Sequence, residues 1–197
     1  AVYGEQVEQP VTERATPHPT SPYAARTIAA ECYVSTIGAL YGIETVILRI
    51  FNAYGPGQFV PPAHAPVIPQ FLKQALGGGS LVVFGDGNQT RDFVYIDDVV
   101  DALAAAARAE GVEGNIINVG SGQETSINEL VRKVEEATGR AVDVLYNKAQ
   151  SGGVSRLVAD ISLARRVLDF HPKTDVDRGL GLMLARDTRF QTAAQAR

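Results

Sequence analysis

Few residues in this sequence stand in patterns that could do chemistry. Asp97 and Asp98 are adjacent carboxylates, a type suited to acid–base work or to holding a cation. Both also fall where a helix is expected to start, and carboxylates there complement the positive end of its dipole. Tyr23 follows Ser21-Pro22 at another expected helix start, with Thr27 four residues on and on the same helix face. A tyrosine there also simply packs against the first turn. Gly77-Gly78-Gly79 follows a helical stretch and reads as a helix stop. Gly120-Ser121-Gly122 lies between a strand and a helix but lacks the third glycine of a dinucleotide-binding loop. His18, His64 and His171 are far apart and Cys32 is the only cysteine. No metal site is expected, and no internal disulfide can form.

The elements that must position these residues can be read along the chain. Residues 5–22 hold four prolines among polar residues and read as a loop. Ser21-Pro22 then opens a helix from Tyr23 to about Tyr41, stopped by Gly42. Thr45 to Phe51 is nearly continuously apolar, the pattern of a strand buried on both faces. After a loop over 55–66, VIPQFLKQAL forms a short amphipathic helix ending at the three glycines. SLVVFGDGNQTRDFVYIDDV holds two short strands around Gly85-Asp86-Gly87. Asp97-Asp98 then starts an alanine-rich helix to about Ala109. NIINVGSG is a strand ending in a glycine turn, and Thr125 or Ser126 caps INELVRKVEEATG. VDVLY is a strand; VSRLVADIS is a strand leading into the helix SLARRVLDF. A last helix covers Val176 to Leu184, and TRFQTAAQAR is a polar, frayed end.

Composition narrows the function classes. The 197 residues are 45% hydrophobic and 20% charged, ordinary for a globular chain. The formal net charge is −4, so nucleic acid is not an expected partner. There is no long apolar run for a membrane span and no signal-peptide pattern. With its single cysteine, the chain suits the cytoplasm.

Taken in order, SPYAARTIAAE, LRIFNAYGPGQ, VIPQF, VVFGDGNQTRDFVYIDDVV, NIINVGSG and VADISLARRVLDF resemble the C-terminal half of extended short-chain dehydrogenase/reductases. These are the NAD-dependent sugar-nucleotide epimerases and dehydratases, UDP-glucose 4-epimerase among them. The resemblance implies that Tyr23 is the catalytic tyrosine and touches the cofactor. The family places a lysine four residues later, and Thr27 stands there. A tyrosine with a pKa of about 10 is only ~0.1% ionised at neutral pH, and a nearby cation favours the phenolate. Arg26 is the adjacent cation, though its planar head differs from an ammonium. The resemblance further implies that Asn52 contacts substrate near its phosphates and that Arg91 grips the pyrophosphate. Val67 and Phe84 then line the base pocket, and Gln150 takes the place of a nucleotide-binding arginine. Open beside these are a turn-capping Asn52, an Arg91 paired with Asp92 or Asp98, and core roles for Val67 and Phe84. Arg156 is a second candidate cation. His64 stands in a loop that the family uses near the sugar.

The resemblance implies an α/β fold: a partial Rossmann-like parallel sheet lacking its N-terminal half, plus a small α+β substrate-binding subdomain. Residues 1–60 would be the Rossmann part, 61–190 mainly the subdomain, and 191–197 a tail. The family's glycine-rich NAD loop and its upstream Ser or Thr are not in this sequence. The expected activity is therefore that of a UDP-glucose 4-epimerase-like protein, catalytically incomplete as this chain. A non-catalytic nucleotide-sugar-binding module or an assembly unit stands as the alternative. The implied cofactor is NAD, and the implied ligand is a UDP- or dTDP-hexose. The implied protein partner is a second copy or an N-terminal half.

Overall fold

A computed structural model describes residues 2–61, 65–150 and 153–195. Helix α1 (Pro22–Tyr41) begins as its sequence dictates. The Ser21 hydroxyl accepts the Ala24 N–H, Pro22 takes the first turn, and Gly42 closes the helix in the left-handed conformation (φ 66°). Strands β1 (Ile47–Ile50) and β2 (Asn52–Tyr54) follow, then α2 (Val67–Gly77), β3 (Leu81–Phe84), β4 (Thr90–Arg91) and β5 (Phe93–Tyr95). Next come α3 (Ile96–Ala106), β6 (Ile116–Val119), β7 (Thr125–Ser126), α4 (Ile127–Thr138) and β8 (Val144–Asn147). Helices α5 (Ser162–Leu168), α6 (Val176–Arg186) and α7 (Thr188–Gln195) complete the described chain.

Three strand pairs are parallel: β1 with β6, β2 with β5, and β3 with β8. Parallel neighbours require crossovers, and the helices supply them. The short β4–β7 pair is antiparallel and sets Arg91 opposite Thr125. The larger core joins α2, α4, α6 and α7 to β2, β3 and β5 through Tyr54, Phe71, Leu72, Leu81, Leu130 and Met183. A second core packs α3 and α5 on β1 and β6 through Ala102, Ile117, Val119 and Leu168. A small third cluster gathers Val2, Tyr3, Val11 and Leu157.

Several elements depart from their sequence reading. Strand β1 is not buried on both faces: its only buried residue is Arg49. Side chains alternate along a strand, so Leu48 joins the α3–α5 core while Arg49 faces Glu31 of α1. The segment expected as a strand before α5 forms a single parallel bridge, Val11 with Ala159. On the side away from Val11, the Ala159 N–H goes to the Asp92 carboxylate. The run after the glycine turn splits at Asp92 into β4 and β5, and neither pairs with β3. Helix α3 stops at Ala106 and α5 at Leu168, where Asp169 turns left-handed (φ 50°). The expected frayed end is helical to Gln195, anchored by buried Phe190. Ser126, one of the two expected caps, is the one that caps α4, accepting the Glu129 N–H at 3.0 Å.

Candidate functional site

Four elements bring four of the expected residues to one cavity. Asn52 starts β2, Val67 opens α2, Phe84 ends β3 and Arg91 lies in β4; together with Gln89 and Ile127 they line about 200 Å³. A neighbouring cavity of about 380 Å³ is lined by Tyr23, Thr27, Glu31, Arg49 and, again, Asn52. Asn52 is thus common to the cavity holding Arg91 and the cavity holding Tyr23.

Arg91 is half-buried, and its Nη1 donates to the carbonyls of Thr90 (2.7 Å) and Val154 (2.6 Å). Burial pushes the guanidinium below its ordinary value, and Glu5 works against that shift. A desolvated cation of this kind gains most from an anionic ligand. The carboxylates once open as partners for it are engaged with main-chain donors. Asp92 accepts from Ser121, Gly122 and Ala159; Asp98 accepts from the N–H groups of Lys173 (2.9 Å) and Thr174 (3.1 Å).

Asn52 does not cap the following turn. Its main-chain N–H and side-chain Nδ2 both donate to the Asp92 carbonyl, at 3.0 and 3.2 Å. Val67 and Phe84 are partly exposed at the cavity rather than sealed in the core, Phe84 to 44%. Tyr23 is 60% exposed, and the Arg26 guanidinium lies 5.2 Å from its ring centroid. The Thr27 hydroxyl donates back to the Tyr23 carbonyl at 2.9 Å. Thr27 itself thus brings no charge to the phenol.

Other expected residues stand elsewhere. Gln150 is exposed on the turn after β8 and lines neither cavity. Arg156 spends Nε and Nη2 on Glu124, both at 2.7 Å, and lines neither cavity. Asp97 and Asp98 do not act as a pair. Asp97 is exposed and bridged to Arg186 at 2.9 Å, while Asp98 is buried. Among the described residues no group of three or more His, Cys, Asp or Glu could hold a metal. No helix among them is long and apolar enough to cross a membrane. His64 lies outside the described residues.

Sequence reasoning missed two groups beside the site. Arg49 and Glu31 form a nearly buried pair in the Tyr23 cavity. The signal was present: Glu31 falls two helical turns after Tyr23, on the face shared with Thr27. The sequence offers Asp92 only as a partner for Arg91; its contacts with Ser121, Gly122 and Ala159 need the fold.

The glycine clusters do not fit a dinucleotide pyrophosphate. Gly78 closes α2 at its C-terminal end, the wrong pole of the helix dipole for a phosphate. The N–H groups of Ser121 and Gly122 already donate to Asp92.

A Rossmann-like α/β fold with these two adjoining cavities defines a class, and the chain belongs to it. The model of the NAD dependent epimerase/dehydratase family matches residues 1–120. A putative UDP-glucose 4-epimerase of Methanocaldococcus jannaschii is 40% identical over 180 residues, covering 91% of this chain and 57% of that protein. UDP-glucose 4-epimerase of Mycolicibacterium smegmatis is 36% identical with the same coverage. The solved structure of Thermotoga maritima UDP-glucose 4-epimerase with UDP-glucose superposes with a TM-score of 0.88 at 34% identity. It covers 94% of this chain and 59% of the other. UDP-glucuronic acid 4-epimerase of Bacillus cereus, in complex with UDP-glucuronic acid and NAD, gives 0.85 at 33% identity, with 93% and 57% covered. The chain thus spans 57–59% of the length of these relatives.

Proposed function

We propose that this chain is the nucleotide-sugar-holding part of a UDP-sugar epimerase-like protein, and that alone it binds this ligand without turning it over. The observation that carries the reading is the convergence of Asn52, Val67, Phe84 and Arg91 on one cavity that shares Asn52 with the Tyr23 cavity. The Arg91 guanidinium supplies charged donors for diphosphate oxygens. An amide has two N–H groups, so Asn52 keeps one for the ligand while the other holds Asp92. Val67 and Phe84 offer apolar surface to the base. Tyr23 is the group placed to accept a proton from a sugar hydroxyl, but Thr27 supplies no charge to favour its phenolate. The same reading assigns residues 61–190 mainly to ligand holding and 1–60 to the Rossmann part.

Calorimetric titration of the 197-residue chain with UDP-glucose and dTDP-glucose, without and with NAD, tests this. The expected result is nucleotide-sugar binding that NAD leaves unchanged, and no 4-epimer in the product mixture. Absence of binding overturns the ligand assignment. Turnover in the presence of NAD overturns the incompleteness.

A second reading, association through α1, is favoured by a separate observation. Tyr33, Leu40 and Tyr41 are about 70% exposed on this helix, and Ile37 and Val34 are also exposed. Such a surface suits a second copy or an N-terminal Rossmann half. Sedimentation equilibrium of the chain distinguishes a dimer from a monomer.

A further inference from the structure

Asp92 is fully buried, yet it sits between Arg91 and Phe93 in the strand run that forms the cavity. Its Oδ1 accepts the Ser121 N–H and the Ser121 hydroxyl, both at 2.6 Å. Its Oδ2 accepts the N–H groups of Gly122 (3.0 Å) and Ala159 (3.1 Å). Four donors from two separate segments therefore converge on one carboxylate. The Ser121 turn comes close enough only because residue 120 is glycine: a Cβ there would stand 2.6 Å from Asp92 Oδ2. The main chain of Asp92 is equally committed. Its N–H donates to the Leu157 carbonyl, and its own carbonyl accepts the Asn52 main-chain N–H and one side-chain N–H.

We infer that Asp92 is a positioning residue of the diphosphate site. Its clamped carboxylate fixes the backbone from which Arg91 projects, and its carbonyl fixes the Asn52 amide. The inference rests on the nucleotide-sugar reading above for its ligand and on the contacts of Asp92 for its geometry. Burial raises the carboxyl above its usual range while the hydrogen bonds oppose that shift. The four donors suit an acceptor-only carboxylate. The Asp92→Asn amide would turn an N–H toward one pair of those donors.

The test uses D92N and the milder S121A in the full chain, with two readouts. In the ligand-free chain, the side-chain amide resonances of Asn52 are followed by NMR. Both variants are expected to shift them and speed their exchange with water; unchanged resonances overturn the inference. In calorimetry, UDP-glucose affinity is expected to fall about tenfold in D92N while uridine affinity holds, because only the diphosphate grip is disturbed. Equal losses for both ligands would mark a general loss of fold and overturn the inference. If D92N does not fold, S121A carries both readouts with a smaller loss. A wild-type chain that binds neither ligand, but whose Asn52 resonances respond as expected, sinks the nucleotide-sugar reading and leaves the positioning role standing.

Discussion

Arg49 of β1 grips Glu31 of α1 through three hydrogen bonds, Nε to Oε1 at 3.0 Å and to Oε2 at 3.3 Å, and Nη2 to Oε2 at 2.7 Å. The two side chains are 7% and 11% exposed. The Arg49 guanidinium also lies 4.8 Å from the Tyr3 ring centroid. Burial works against its charge, but Glu31 and Tyr3 outweigh burial and raise its pKa. Helix α1 has only Ala24 and Gly38 buried, so this pair is a principal tether between the helix of Tyr23 and the strand leading to Asn52.

Removing one partner of such a pair leaves a charge buried without compensation. Glu31→Ala is expected to destabilise the chain by about 3–5 kcal/mol, whereas an Arg49→Met/Glu31→Leu double variant comes closer to wild type. Urea unfolding of the three proteins checks this. A double variant weaker than Glu31→Ala contradicts the tether.

Arg91→Ala removes the charged donors from the proposed diphosphate cavity. UDP-glucose affinity is expected to weaken by about 1.5–3 kcal/mol, roughly ten- to a hundredfold. Calorimetry reads this directly, and an unaltered affinity takes Arg91 out of the site.

Two glycines of α6 are expected to respond in opposite directions to alanine. At Gly179 a Cβ would come within 1.9 Å of the Tyr54 hydroxyl oxygen, which donates to the Asp175 carbonyl at 3.2 Å. Overpacking there costs about 1–3 kcal/mol and outweighs the gain in helix propensity. A Cβ at Gly181 meets nothing within 4 Å, so Gly181→Ala gains about 0.5–1 kcal/mol. Thermal melts of the two variants compare the signs.

Asp187 caps the turn into α7 and pairs with Arg189, with Nη2 to Oδ2 at 2.5 Å. The Arg189 hydrogen bonds, helped by the Gly57 N–H, hold its carboxyl down to about 2. An unfolded aspartate titrates near 3.9. The stabilisation is therefore complete above about pH 4 and is lost as pH falls toward about 2. The stability advantage of wild type over Asp187→Asn should shrink across that window and stay level above it. Unfolding midpoints of both proteins at a series of acidic pH values give the comparison.

Local chemistry was legible where it was self-contained. Ser21, Pro22 and Gly42 bracket α1, and Ser126 caps α4, because a cap is satisfied by residues a few positions away. The ordered run from SPYAA to VLDF marked the family, because it carries the strand ends and turns that build this fold. It also pointed to Asn52, Val67, Phe84 and Arg91. That these four share a cavity was decided by tertiary structure, since β2, β3 and β4 pair with β5, β8 and β7, all distant in sequence, and α2 packs against β3. The same holds for Asp92 and for Arg49. Each is a charge whose burial depends on partners distant in sequence: spacing puts Glu31 on the Tyr23 face but does not show that Arg49 meets it, and it carries no record of the donors around Asp92. Gln150 and Arg156 mark the converse limit: the resemblance offers both for a ligand, but the loop after β8 leaves Gln150 facing water, and Glu124 engages Arg156.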